Sequence, residues 1–234
     1  MWQHREDIAI HVRGRFRVKS DQELRKDVME ELEWEPSVDA RKIGVAVEDG
    51  IVTLTGEVPS FAEKWNAERA AERVEGVRGI VNKIEVKILG EYTDEDIARE
   101  AADALRWNLM VPQGKVLPKV ENGYITLTGE VNYDFQRRVA ERAVRYIPGV
   151  KGVINLIQVK PKVEPRNVKG EIEKAFKRMA DLDAENVSVE VNGSEIILRG
   201  TVRSWAERQE AERAAWAAPG VTSVKNYITV RAAA

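Results

Sequence analysis

The 234-residue chain is 43% hydrophobic, carries 37 basic against 39 acidic side chains, and contains two histidines and no cysteine. This composition suits ordinary hydrophobic cores and excludes disulfides and thiolate chemistry. The nearly neutral charge provides no general attraction to a polyanion, so any basic surface must be local. The apolar runs are strand-length, which predicts no signal peptide and no transmembrane segment. We therefore expect a cytoplasmic protein, or a periplasmic one if an export signal has been removed.

The N-terminal segment, residues 1–19, combines a strand-like alternation of apolar side chains with a basic cluster. It is interpreted as an ordered extra strand, a basic arm or a vector-derived leader. If it is an arm, the candidates for contact with anionic lipid are Arg13, Arg15, Phe16, Arg17 and Lys19. About four basic contacts of roughly 1 kcal/mol each predict weak, salt-sensitive binding that residues 1–19 alone provide.

The first repeat unit follows this segment. Ser20 and Glu23 have capping-box spacing, and apolar residues at helical spacing predict a helix that ends before Pro36. Two predicted strands are joined by Asp49-Gly50, a pair that tolerates the positive φ of a tight hairpin turn. A second helix and a third strand complete an α-β-β-α-β unit.

The hairpin sequence occurs three times. The stretch from Asp49 to Val58 returns as Asn122 to Val131 and, more loosely, as Asn192 to Val202, where the hairpin is predicted to be one residue longer. The glycines at one shared position are spaced roughly 70 residues apart, which is the size of a small domain. These candidate structural glycines are Gly56, Gly129 and Gly200.

The predicted fold class is α+β, with three tandem units that each pack a three-stranded mixed sheet on two helices. The expected boundaries are 20–89, 93–160 and 166–231. Pro118 lies within the first strand of unit two and cannot donate to a ladder, so that strand is predicted at the sheet edge. The shared glycine falls among core-facing positions, which predicts that the backbone of the alanine-rich second helix passes close above it.

The stretch Asp49 to Val58, the alanine-striped helix after it, and the pairs Gly76-Val77 and Val81-Asn82 together resemble the BON domain, named for bacterial osmotically inducible and nodulation proteins. Three copies cover about residues 20 to 231. The resemblance implies non-catalytic modules associated with osmotic stress and the cell envelope, and phospholipid binding is proposed for some members. Many such proteins are periplasmic.

Two loops after the second helices have a G-x-x-G pattern with a basic residue inside, Gly76-Val77-Arg78-Gly79 and Gly149-Val150-Lys151-Gly152. KH modules clamp nucleic-acid backbones with such a loop, but there it joins two helices. The third copy, Gly220-Val221-Thr222-Ser223, lacks the charge and the second glycine. We favour a helix C-cap glycine followed by a buried valine, and we expect no nucleic-acid binding.

Two further features recur in all three units. Asn82, Asn155 and Asn226 share one position, where a turn-stabilising role is favoured over an ion site built with loop carbonyls. The sequence Ala-Glu-Arg recurs on the second helices, with the Glu and Arg away from the alanine stripe. This face is interpreted as solvated or, alternatively, as a docking surface between units.

The residues provide no catalytic site. Both histidines precede the repeats, Ser60 and Ser204 are explained as helix caps, and no His/Asp/Glu cluster has metal-ligand spacing. We expect no cofactor. The function predicted first is a non-enzymatic, stress-related binding or scaffolding protein that engages anionic phospholipid or another protein. The alternative is a sensor of a small ligand or of a monovalent cation such as potassium.

Overall fold

The computed structural model describes residues 19–161, 168–179 and 186–230. Within these ranges the chain forms six α-helices and ten β-strands, which enclose three separate hydrophobic cores. The predicted α+β class with three repeated units is confirmed. The strand-like alternation in residues 1–18 lies outside the described residues.

Unit one follows the predicted order, and its elements are α1 (Asp21–Trp34), β1 (Ile43–Glu48), β2 (Ile51–Val58), α2 (Phe61–Arg73) and β3 (Gly79–Val86). Strand β2 is central, antiparallel to β1 and parallel to β3. The capping box at the start of α1 is present, since Ser20 and Glu23 each bond the other's backbone. At the start of α2, Ser60 accepts from the Glu63 N–H, while the Glu63 carboxylate accepts from the backbone of Asp39.

Unit two contains α3 (Asp94–Trp107), β4 (Val116–Glu121), β5 (Tyr124–Val131), α4 (Asp134–Arg145), β6 (Gly152–Asn155) and β7 (Gln158–Val159). Strand β4, which holds Pro118, pairs only with β5 and lies at the edge, as predicted. Strands β6 and β7 both run parallel to β5 and together occupy the place of the third strand.

Unit three contains α5 (Val168–Arg178), β8 (Val187–Asn192), β9 (Glu195–Val202), α6 (Trp205–Ala217) and β10 (Ser223–Val230). The prediction of a longer hairpin was wrong. Asn192 pairs with Glu195 in the ladder, so the turn is the two-residue Gly193-Ser194. The glycine is the first residue of this turn and has φ 62°, whereas in unit one both turn residues, Asp49 and Gly50, have positive φ.

The shared glycine has a different neighbour from the one predicted. A β-carbon on Gly56 would overlap the carbonyl oxygen of Lys42, just before β1, and Gly129 faces Lys115 in the same way. Their φ angles are 128° and 134°. The start of the first strand, rather than the helix backbone, therefore excludes a side chain, and positive φ adds to the requirement for glycine.

The three second helices bring the units together. The Arg145 guanidinium of α4 lies 3.5 Å from the centre of the Trp65 ring on α2, and Arg137 lies 4.7 Å from the Trp216 ring on α6. Helices α2 and α6 are joined by a 2.8 Å hydrogen bond that the Gln209 amide donates to Glu72. Each pair of units therefore shares a contact between second helices.

Candidate functional site

The G-x-x-G loops lie at the junction between the second helix and the third strand. Val77 and Val150 are buried, while Arg78 and Lys151 are exposed. The backbone N–H of Arg78 donates to the carbonyl of the hairpin glycine Gly50 at 2.8 Å. The same bond is made in the other units, from Lys151 to Gly123 and from Thr222 to Ser194. The loop thus supports the hairpin turn whether or not it carries a charge, which favours the helix-end interpretation.

The repeated asparagines connect the third strand to the second helix. The Asn82 amide donates to the Glu68 carboxylate at 2.8 Å, and its oxygen accepts from the Ile84 N–H at 3.1 Å. Asn155 and Asn226 make the corresponding bonds, with Glu141 and Glu212 as the carboxylate partners. This geometry supports the structural role of the asparagines, and an ion bound beside them stays a prediction.

Four of the five candidate arm residues, Arg13, Arg15, Phe16 and Arg17, lie outside the described residues. Lys19 is described, and its ammonium group lies 2.7 Å from the Asp27 carboxylate and donates to the Glu75 carbonyl. This cation is therefore partly neutralised by the protein itself. The lipid-contacting arm stays a prediction.

Two aspartates that the sequence reasoning missed hold the hairpin turns. The Asp21 carboxylate at the start of α1 accepts from the backbone N–H groups of Asp49 and Gly50, at 2.9 and 3.0 Å. Asp94 does the same for unit two, at 2.7 and 2.8 Å. The equal spacing from aspartate to hairpin in both units was the signal that could have revealed them.

An apolar segment, residues 107–111 and called the apolar loop here, begins at the last residue of α3 in unit two. The side chains of Trp107, Leu109 and Met110 are 75%, 96% and 58% exposed. Val111 is buried in the core of the unit, and the Asn108 side chain accepts a 3.0 Å hydrogen bond from the Met110 N–H. These contacts fix the loop on the protein while three large apolar side chains remain in solvent. A contiguous exposed patch of this kind is typical of an interaction site.

The sequence around the apolar loop contains several basic residues. Residues 104–120 contain Arg106, Lys115 and Lys119 and no acidic residue, although 32% of the whole chain is charged. The Arg106 guanidinium lies 5.3 Å from the centre of the Trp107 ring and also bonds Asp103, one residue before this stretch. Lys119 pairs with Glu121, one residue after it, at 2.9 Å. The patch therefore presents an amphipathic aromatic side chain, two apolar side chains and adjacent cations.

Such a combination matches the boundary between lipid headgroups and acyl chains. Tryptophan partitions to that boundary, and cations near an anionic surface contribute about 1 kcal/mol each. Across the described ranges, every helix is too short or too polar to serve as a bilayer-spanning segment.

The comparisons with known proteins agree with the repeat. The model of the BON domain family matches residues 20–88, 93–161 and 166–232. The osmotically-inducible protein Y of Escherichia coli (strain K12) is 28% identical over 130 residues, which span 53% of this chain and 65% of that protein.

Solved structures give weaker similarities. CdsD, a structural protein of the Type III secretion system of Chlamydia trachomatis, is 15% identical, with 88% of this chain and 90% of that chain covered and a TM-score of 0.23. The PrgH periplasmic domain is 11% identical, with 81% and 95% covered and a TM-score of 0.23. Scores this low carry no argument about the fold or the function.

Proposed function

Because the chain belongs to the BON domain family, and a relative is named for osmotic induction, we propose that it is a non-catalytic binding protein of the osmotic stress response. Its ligand in this proposal is the surface of an anionic phospholipid bilayer. The observation that carries the proposal is the apolar loop of unit two, where Leu109 is almost wholly exposed and Arg106, Lys115 and Lys119 are close in the sequence.

The expected affinity follows from the side chains of the loop. Burying an apolar side chain such as Leu109 or Met110 contributes about 1.5–3 kcal/mol. On an anionic surface Lys115 contributes about 1 kcal/mol, and Arg106 and Lys119 contribute less because Asp103 and Glu121 already pair with them. Neither apolar burial nor charge attraction alone attaches the protein firmly to a bilayer. The protein should therefore bind poorly to neutral vesicles and measurably to anionic ones.

Co-sedimentation with phosphatidylglycerol vesicles tests the proposal, with phosphatidylcholine vesicles as the neutral reference. The double variant Leu109→Gln with Met110→Gln should reduce binding at least tenfold, because the inserted apolar area is lost. Leu89→Gln is the matched control, since Leu89 is also highly exposed but lies outside the apolar loop. Equal binding by the parent and the double variant would overturn the role of the loop.

Deletion of residues 1–18 tests whether the apolar loop or the N-terminal arm contacts the lipid. If the loop carries the contact, the deletion variant retains most of its binding to anionic vesicles. If the arm carries it, the deletion abolishes binding and the loop variant binds as well as the parent. Failure of the parent to sediment with any vesicle would favour a protein partner for the same patch.

A further inference from the structure

A cleft of about 580 Å³ opens where helices α2, α4 and α6 meet. All of its lining residues come from these three helices, so the site exists only when the three units are assembled. Its volume lies within the range of about 300–1,000 Å³ typical of small-molecule sites. The vesicle-binding proposal does not use this cleft.

The arginine of the repeated Ala-Glu-Arg sequence enters the cleft from every unit. Arg69, Arg142 and Arg213 hold the same repeat position, and all three line the cleft. The sequence left open whether this face is solvated or placed between units. The structure puts the arginines of the motif at the junction of the units, where their charges are concentrated in one space.

Positive charge is in excess in the cleft. Seven arginines line it against three carboxylates, Asp134, Glu141 and Glu212. Each carboxylate already has protein partners, since Asp134 pairs with Arg137 and Arg138 while Glu141 and Glu212 accept hydrogen bonds from asparagines of the third strands. Outside the lining, Glu72 and Glu210 pair with Arg69 and Arg213, and Arg208 donates to backbone carbonyls of β10. Arg142 is left without an acceptor among the described residues.

Two of these guanidinium groups have unused donors. The Arg145 side chain is only 6% exposed and bonds Glu141 through one terminal nitrogen at 2.6 Å, yet its Nε is buried without a hydrogen-bond partner. Arg142 makes no hydrogen bond or ion pair with any described residue. A buried donor without a partner is unfavourable, and a bound acceptor would relieve this cost.

We propose that this central cleft binds a multivalent phosphate group. Planar guanidinium groups donate pairs of parallel hydrogen bonds to phosphate oxygens, and several arginines around one space match an anion with more than one charge. The ring faces of Trp65 and Trp216 are stacked with Arg145 and Arg137, which holds those guanidinium groups in position before a ligand arrives. A free small molecule and a lipid headgroup both supply such a phosphate, and the experiment separates the two sources.

Isothermal titration of the full chain with tripolyphosphate, at ionic strength held constant with sodium chloride, tests this proposal. We expect one site per chain and a raised melting temperature. Arg142→Gln should weaken the affinity at least tenfold, and because Arg142 is exposed and unpaired it should leave the fold intact. Arg213→Gln is a second variant from the same repeat position.

Arg99→Gln is the matched control, because Arg99 is an exposed arginine of α3 outside the cleft. Its affinity should stay within twofold of the parent. Absence of binding at millimolar tripolyphosphate would overturn the proposal. Equal affinities of the parent and Arg142→Gln would overturn it as well.

Competition with vesicles that contain phosphatidic acid, whose headgroup is a phosphate monoester that can carry two charges, identifies the source of the phosphate. Displacement of tripolyphosphate by vesicles assigns the cleft to a lipid headgroup, and its retention assigns the cleft to a free phosphate compound. The variant Leu109→Gln with Met110→Gln should keep tripolyphosphate binding even where vesicle binding is lost. The experiments therefore distinguish a failure of the vesicle-binding proposal from a failure of the phosphate-binding proposal.

Discussion

Trp34 and Trp107 occupy the same repeat position, at the end of the first helix in units one and two, and both side chains are highly exposed. Their flanking sequences differ in charge, although Arg73 pairs with Glu31 and Glu35 close to Trp34. Residues 30–40 contain five acidic and no basic side chains, whereas residues 104–120 contain three basic and no acidic ones. Units one and two thus share a backbone fold but differ in the charge of the sequence around this tryptophan. We expect an anionic bilayer to bind the region of Trp107 in preference to that of Trp34.

Substitutions of the glycine that the units share should have the largest effect on stability. Gly129→Val and Gly56→Val should each destabilise by at least about 3 kcal/mol, because the side chain overlaps strand backbone and the residue requires positive φ. Thermal unfolding measures the loss. Gly114→Ala is the control for φ alone, since Gly114 has φ 68° and no atom near its missing β-carbon. A mild effect at Gly129 and a severe one at Gly56 would break the equivalence of the two units.

The hairpin aspartates give the next effect. Asp94→Ala and Asp21→Ala should each cost about 2 kcal/mol, because two hydrogen bonds from turn N–H groups to a carboxylate are lost. Asp103→Ala, which removes only an exposed pair with Arg106, should cost under about 0.5 kcal/mol. Denaturant unfolding checks these values, and unequal losses at Asp21 and Asp94 would contradict a common role.

Charge exchange tests the surface difference itself. Glu30→Lys with Glu33→Lys makes the surroundings of Trp34 resemble those of Trp107, and binding to phosphatidylglycerol vesicles should strengthen by about 1–2 kcal/mol, which is roughly five- to thirtyfold. Arg106→Glu with Lys115→Glu should weaken it by a similar amount. Vesicle sedimentation of both variants, with the parent alongside, measures the change. If neither variant changes the affinity for phosphatidylglycerol vesicles, charge does not explain the difference between the two units.

The smallest effect concerns pH at the end of α1. The hydrogen bond from the Ser37 hydroxyl, followed by that from Arg73, holds the pKa of Glu35 below its usual value of 4.5. A lowered folded-state pKa contributes stability that is present above pH 4.5 and is lost as pH falls through the folded pKa. Ser37→Ala should therefore lower the free energy of unfolding at pH 7 by under about 1 kcal/mol, which thermal unfolding detects as a slightly lower melting temperature. The difference from the parent should be smaller at pH 3.

Unit two provides the control for this pH effect. Asn108 replaces Glu35 at the corresponding position, so Asn108→Ala should change stability by the same amount at pH 3 and pH 7. A Ser37→Ala difference that is equally large at both pH values would contradict the role of the Glu35 charge.

The sequence alone determined the repeat, the order of elements and the edge position of Pro118, because these depend on local periodicity, turn chemistry and the missing N–H of proline. It also identified Gly56 and its equivalents, although not the strand backbone that excludes a side chain there. The family resemblance was equally available from the motif around Asp49 to Val58, and the family match agrees with it.

The tertiary structure decided everything that depends on side chains distant in the sequence. On the repeated Ala-Glu-Arg face, the glutamates are bonded to asparagines of the third strands, and the arginines line a cleft between units together with Glu141 and Glu212. No periodicity within one helix predicts where two other helices will lie. The sequence also could not predict that Leu109 is exposed. An apolar residue after a helix packs inward or outward according to where its neighbours are buried, and here it is Val111 that packs in the core.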